Sequence, residues 1–158
     1  MARWQDVIDS EPEFARRVQT LFDAHRHKTI ATLRKDGAPR ISGIEAQFAD
    51  GHVWVGMMAN SQKRADVRRD PRIALHSTSE DPPDDPRRGD EWAGDAKLSG
   101  QAVLMDAAMR QSLATEDPEG AYFTIDIDEV VLTRVGTPAD HLVVQLWRPG
   151  RALKTLRA

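Results

Sequence analysis

The sequence predicts a mainly β protein, a small antiparallel barrel with few helices. Six or seven short runs alternate apolar and polar residues or are rich in β-branched and aromatic ones, at 29–33, 39–48, 52–58, 72–77, 97–105, 121–134 and 141–147. The early links, Arg34-Lys35-Asp36-Gly37 and Asp50-Gly51, are too short for the crossovers that parallel neighbours need. An antiparallel sheet of that size hides its edges by curling on itself.

Taken in order, residues 10–27 predict a docking helix, with Phe14, Val18, Leu21 and Phe22 on one stripe and Glu13, Arg16, Arg17 and Gln19 elsewhere. Ser10 reads as its N-cap, with Pro12 just inside and Glu13 at the third helical position. His25 and His27 point in different directions on a helix, so they read as cationic residues near its C-terminus rather than as a metal pair. Strands 29–33 and 39–48 form a hairpin through Asp36-Gly37, and Asp50-Gly51 turns the chain into a third strand.

The stretch 53–71 organises the rest. Its first part is a largely buried strand that breaks at Asn60-Ser61. From Ser61 the residues are good helix formers behind a cap, and Asp70-Pro71 stops them. A strand feeding a capped helix leaves unpaired backbone N–H groups at the turn, to which Ser61 adds a hydroxyl and Lys63 and Arg64 add positive charge. That makes a place for an anion, although a solvated basic helix face accounts for the same residues.

Strand 72–77 follows. Residues 79–96 then carry three prolines among acidic residues, which predicts a mobile acidic loop, either a solvated excursion or a lid to which Trp92 would contribute. Strand 97–105, a short helix at 106–113, two strand-like runs separated by Asp128-Glu129 and a last strand at 141–147 complete the chain before a basic tail of Arg151, Lys154 and Arg157.

A chain of 158 residues fits one domain with its own core. Cysteine is absent, which excludes thiol catalysis, disulfides and thiolate metal sites. The acidic, non-apolar N-terminus is neither a signal peptide nor a membrane anchor, so a cytoplasmic protein is expected. With 22 basic and 25 acidic side chains the net charge is -3, and the aromatics are not interleaved with the basic residues. Nucleic-acid and membrane partners are therefore not expected, and an anion site must be local. There is no Ser-His-Asp arrangement, zinc-binding His pair or Gly-rich nucleotide loop. Glu45 and His76 could be proton donors near a pocket, but they read better as ordinary satisfied strand residues.

Three strings carry a family resemblance: Ile30-Ala31-Thr32-Leu33-Arg34-Lys35-Asp36-Gly37-Ala38-Pro39, Asn60-Ser61-Gln62-Lys63-Arg64, and Val67-Arg68-Arg69-Asp70-Pro71-Arg72-Ile73-Ala74-Leu75. With their spacing intact, they resemble the pyridoxamine 5′-phosphate oxidase-like superfamily of split β-barrel flavoproteins, which includes flavin- and deazaflavin-dependent oxidoreductases. The resemblance implies an antiparallel split β-barrel with peripheral helices, and a homodimer holding a flavin at the subunit interface. It implies phosphate binding by Ser61, Lys63 and Arg64. One wall of the ring site would come from Arg40, Ile41, Ser42, Gly43 and Ile44, the facing wall from Val55, Gly56, Met57 and Met58, and a C-terminal contact from Trp147 with Arg148. Gly43 also has a physical rationale, since a strand residue without a side chain lets a flat ligand approach.

The substrate-phosphate motif of the vitamin B6 enzymes, an Arg-x-His near the C-terminus, is missing: His141 has no Arg two residues ahead. The resemblance thus implies an FMN-dependent oxidoreductase acting on a small planar organic substrate. Its alternatives are a deazaflavin-dependent reductase and a non-catalytic flavin or haem binder on the same barrel. A deazaflavin's longer acidic tail would call on Arg64, Arg68 and Arg40.

Overall fold

The computed structural model describes residues 1–113 and 117–158. Two helices, α1 (Trp4–Ser10) and α2 (Pro12–Asp23), precede four strands, β1 (Lys28–Leu33), β2 (Pro39–Ile44), β3 (Ala46–Ala49) and β4 (His52–Met57). Helix α3 (Gln62–Arg69) leads to β5 (Arg72–His76), a 3₁₀ turn (Pro86–Glu91) and β6 (Asp95–Leu104). Helix α4 (Ala107–Ser112) and strands β7 (Ala121–Val135), β8 (Leu142–Trp147) and β9 (Lys154–Arg157) follow.

All ladders between these strands are antiparallel. The main path runs β2-β1-β5-β6-β7-β4-β3, with β8 paired to β7 and β9 to β8. Strands β2 and β3 stand at opposite ends of that path yet follow one another in the chain across Glu45. The sheet therefore curls until its ends meet, and there the ladder stays open. The fold is a split barrel.

The split is where the expected strand 39–48 breaks in two. Two other expectations also change. The single helix over 10–27 divides at Glu11, because Pro12 has no N–H to donate and its ring clashes with the preceding turn, so it opens a new helix at the first position. Ser10 thus ends α1 instead of capping α2. Its hydroxyl donates to the Asp6 carbonyl at 2.7 Å and accepts from Trp147 Nε1 at 2.9 Å. Ser10→Ala is expected to leave the Trp147 N–H unpaired and to lower the unfolding free energy by about 1–3 kcal/mol, measurable by urea denaturation.

The two runs expected around Asp128-Glu129 form one long strand. Ser99 pairs with Glu129 but Gly100 pairs with Ile127, so Asp128 is an extra residue absorbed as a bulge. The basic tail becomes the edge strand β9.

The barrel core contains Ile30, Val53, Val55, Leu75, Leu98, Ile127, Val130 and Leu132, all essentially inaccessible. Helices α1 and α2 close one side of it through Trp4, Val7, Phe14, Val18 and Phe22, the apolar face of α2 being the one its sequence spacing sets out. Trp4 meets Phe48 edge-on at 4.7 Å between ring centroids, and Phe22 lies 5.3 Å from the same ring.

Hydrogen bonds form within the 79–96 region and between it and Thr137. Trp92 Nε1 donates to the Glu80 carbonyl at 2.7 Å, the Asp85 carboxylate caps the 3₁₀ turn, and Thr137 Oγ1 donates to Asp90 at 3.1 Å. No helix among the described residues is long and apolar enough to cross a membrane.

Candidate functional site

Alternation along β4 sorts its side chains onto two faces. Val53, Val55 and Met57 join the barrel core, whereas Trp54 faces outward into a separate cluster with Met105 and Tyr122. The outward face next to the split forms an open cleft of about 700 Å³. Its floor has three rows. Gly43, Glu45 and Gln47 come from β2, the residue between β2 and β3, and β3; Met58, Gly56 and Trp54 from β4 and the residue after it; and Gly120 and Tyr122 from the residue before β7 and its start.

Gln47 pairs with Trp54, and Tyr122 pairs with Gly56. Continuing the β3–β4 register past the break sets Glu45 opposite Gly56 and Gly43 opposite Met58. From Gly43 to Gln47 the floor extends roughly 14 Å, at about 3.4 Å per residue.

At the Gly43 end stands the start of α3. Ser61 has extended backbone angles, and its carbonyl accepts from the Arg64 and Ala65 amides at 3.1 and 3.3 Å. Its hydroxyl does not cap the helix; it donates back to the Met58 carbonyl at 3.0 Å. The amides of Gln62 and Lys63, at the first two helical positions, thus have no acceptor within the helix. Lys63 Nζ reaches across the turn to the Gly43 carbonyl at 3.1 Å, which places an ammonium at the cleft edge. Arg64 turns away: one terminal nitrogen donates to the Ala59 carbonyl at 2.6 Å, while its buried Nε has no partner among the described residues. Asp117 and Glu119 border the Ser61 side of this corner, and Asp117 lines the main cleft as well.

The sequence-derived site residues separate into groups. Gly43, Gly56, Met57 and Lys63 border the cleft, with Ser61 lining a smaller cavity that shares Met58 and Asp117 with it. Ser42 lies half-buried and Ile41 is 76% exposed on the outer strand β2, while Val55 points into the barrel. Arg40 is taken up elsewhere: its Nε donates to Asp66 Oδ2 at 2.6 Å. Trp147, 2% exposed, packs against Ser10 in a separate cavity beside Asp6 and Asp126.

The two floor glycines differ in kind. A Cβ on Gly56 would sit 2.9 Å from the Tyr122 ring, so Gly56 makes room for that tyrosine. A Cβ on Gly43 would meet nothing within 4 Å, which leaves the space above it to a ligand.

Trp54, Tyr122, Gln47, Arg26 and His27 also line the cleft and escaped the sequence reading. Period two from Gly56 would have found Trp54, and period two from Gly43 would have found Glu45 and Gln47. Tyr122 and Arg26 carry no such signal, since only folding brings them to the split. The Tyr122 hydroxyl accepts from the Asp117 amide at 2.9 Å, and the Arg110 guanidinium lies 5.0 Å over the ring, so the 117–120 wall is fastened to the sheet. Among the described residues, the lining of this cleft includes none from the 79–96 region.

Neither a scan of protein-family models nor a search of curated proteins finds a match to this chain. Solved structures do match. PhzG from Burkholderia lata 383, in complex with tetrahydrophenazine-1-carboxylic acid, superposes with a TM-score of 0.65 at 14% identity, over 98% of this chain and 95% of that one. A pyridoxamine 5′-phosphate oxidase-related, FMN-binding protein from Nostoc punctiforme PCC 73102 gives 0.63 at 11% identity, over 94% and 95%. The chain shares the split-barrel fold of these two proteins. A haem-binding protein from Mycobacterium smegmatis shares this split barrel at a TM-score of 0.55 and 15% identity, over 89% of this chain and 56% of its own.

Proposed function

We propose that this split barrel is an FMN-dependent oxidoreductase that works as a homodimer on a small planar organic substrate. The observation that carries the reading is the Gly43 end of the cleft. Open space over Gly43 and the Lys63 ammonium meet there, beside the start of α3, whose first amides have no acceptor within the helix; this suits a flat ligand ending in a phosphate.

Bound FMN would supply hydride chemistry at its ring. Lys63 and the Gln62 and Lys63 amides would hold the phosphate, and Gly43 would let the ring lie against β2. Tyr122, fixed over Gly56, would form the wall that keeps water from one side. Ile41 and Met58, both large and exposed, are the apolar surface offered to a second subunit.

FMN suits the residues better than a deazaflavin does. Of the three cations that a longer acidic tail would need, Arg40 is bound to Asp66 and Arg64 is turned onto a backbone carbonyl, which leaves the exposed Arg68. A non-catalytic haem binder is the second reading, favoured by His27 and Met58 on the cleft, residue types that ligate haem iron.

The absorbance spectrum of the purified protein separates flavin from haem. Anaerobic reduction by NADPH and reoxidation by a quinone or nitroaromatic separates an oxidoreductase from a carrier. Reoxidation no faster than that of free FMN would leave only the carrier.

In fluorescence titrations with FMN, Lys63→Ala is expected to weaken binding by about 1–3 kcal/mol, the scale of a charge-assisted hydrogen bond. Gly43→Leu should fold normally, since nothing lies where its side chain begins, and yet bind FMN at least about tenfold more weakly. An unchanged affinity in both variants would move the cofactor away from this corner.

A further inference from the structure

The other end of the cleft, around Trp54 and Gln47, is about four strand residues from Lys63 and presents a different chemistry. Trp54 is 7% exposed, and its indole N–H is fully buried with no partner among the described residues. Buried donors are rarely left in that state in native proteins, because water's hydrogen bond has been lost without replacement. Two more donors stand on the same rim. Arg26 spends only its Nε on Glu45, at 3.0 Å, and His27 Nε2 lies 3.7 Å from the same carboxylate. The terminal amino groups of Arg26 carry no bond among the described residues, and a guanidinium has geometry suited to a second carboxylate. Two basic side chains thus face Glu45 on the lining that Trp54 shares, and the hidden Trp54 N–H needs an acceptor.

We infer that this end of the cleft is a subsite for an organic acid, and that the substrate is an aromatic carboxylate. Its carboxylate would lie against Arg26, His27 and the Trp54 N–H, with its ring toward Tyr122. The inference rests on the flavin reading for the substrate's role, but the recognition of an acid group stands on these residues alone. Glu45 shares the subsite, so a second acid group on the ligand would meet its carboxylate. Asp117 also lines the cleft, with its carboxylate beside the Gly120 backbone.

The test compares 2-naphthoate with its neutral isostere 2-naphthamide by titration calorimetry, on the full chain with and without FMN. Wild-type protein should bind the acid at least tenfold more tightly than the amide. The Arg26→Gln, His27→Gln double variant should bring that ratio close to one while leaving FMN affinity within twofold. Trp54→Phe, which keeps a ring and removes the N–H, should weaken the acid several-fold. Equal binding of acid and amide, no binding of the acid at millimolar concentration, or a preference that survives the double variant would each overturn the subsite. Failure of FMN to bind would remove the redox reading instead, and the acid–amide ratio in the flavin-free protein would still decide this one.

Discussion

Asp66→Ala is expected to lower the unfolding free energy by about 3–5 kcal/mol, as removal of one partner from a buried ion pair does. Asp66 is 3% exposed on α3 and accepts from Arg40 Nε at 2.6 Å, Arg69 at 3.0 Å and Thr32 Oγ1 at 2.9 Å. Its loss leaves the Arg40 guanidinium largely buried with no counter-charge and Thr32 without its acceptor. The same carboxylate ties α3 to β1 and β2, so the variant should also bind FMN more weakly. Chemical denaturation checks the first effect and flavin titration the second; a stability change under about 1 kcal/mol would show that Arg40 finds water or another acceptor.

Acid titration gives the same group a signature. Burial pushes the Asp66 carboxyl up, but the hydrogen bonds from Arg40, Arg69 and Thr32, with the Arg40 charge, outweigh it and hold the carboxyl below its ordinary value. A folded-state value below the unfolded one means stability that is present above the unfolded pKa of about 3.9 and lost as pH falls through the folded value. Wild-type protein should therefore lose stability below about pH 4 more steeply than Asp66→Asn does. Asp70, held at about 2 by its bonds to Arg72, titrates in both proteins and cancels from the difference.

Gly100→Ala is the second large effect expected, about 3 kcal/mol or more, because overpacking against backbone leaves no side chain to swing aside. A Cβ at this position would collide with the Asp126 carbonyl oxygen and lie 3.0 Å from its carbon and 3.1 Å from Ile127 Cα. These atoms belong to the bulge at which β6 and β7 change register. The thermal midpoint should fall by roughly 6–12 °C, given 2–4 °C per kcal/mol for a domain near this size. Gly43→Ala is the control: it adds the same methyl group into open space and should change little. A Gly100→Ala midpoint equal to that of Gly43→Ala would mean that the bulge relaxes without cost.

Local rules made much of the architecture legible. Asp36-Gly37 sets the first hairpin, with Gly37 at a φ of 84°, and the Asp50-Gly51 turn uses two positive-φ residues in succession, at 49° and 74°. The stripe on α2 and the alternation along β4 each report a single element's burial, which sequence spacing carries. The split at Glu45 was not legible, because residues 39–48 look like one strand until their two halves pair with different neighbours. The bulge at Asp128 was hidden for a similar reason, since it exists only in the register against β6.

The candidate site divides along the same line. By itself the sequence determined an antiparallel sheet with short turns, and a strand that hands over to a helix at Ser61 and Lys63, because turn chemistry, period and helix starts depend on residues adjacent in the chain. Tertiary structure alone decided that Arg40 serves Asp66, that Trp147 is held by Ser10, and that Trp54, Tyr122, Arg26 and His27 meet at the cleft. Those outcomes depend on which charges and rings are nearest once the sheet has curled, and residues far apart in the chain become neighbours only then.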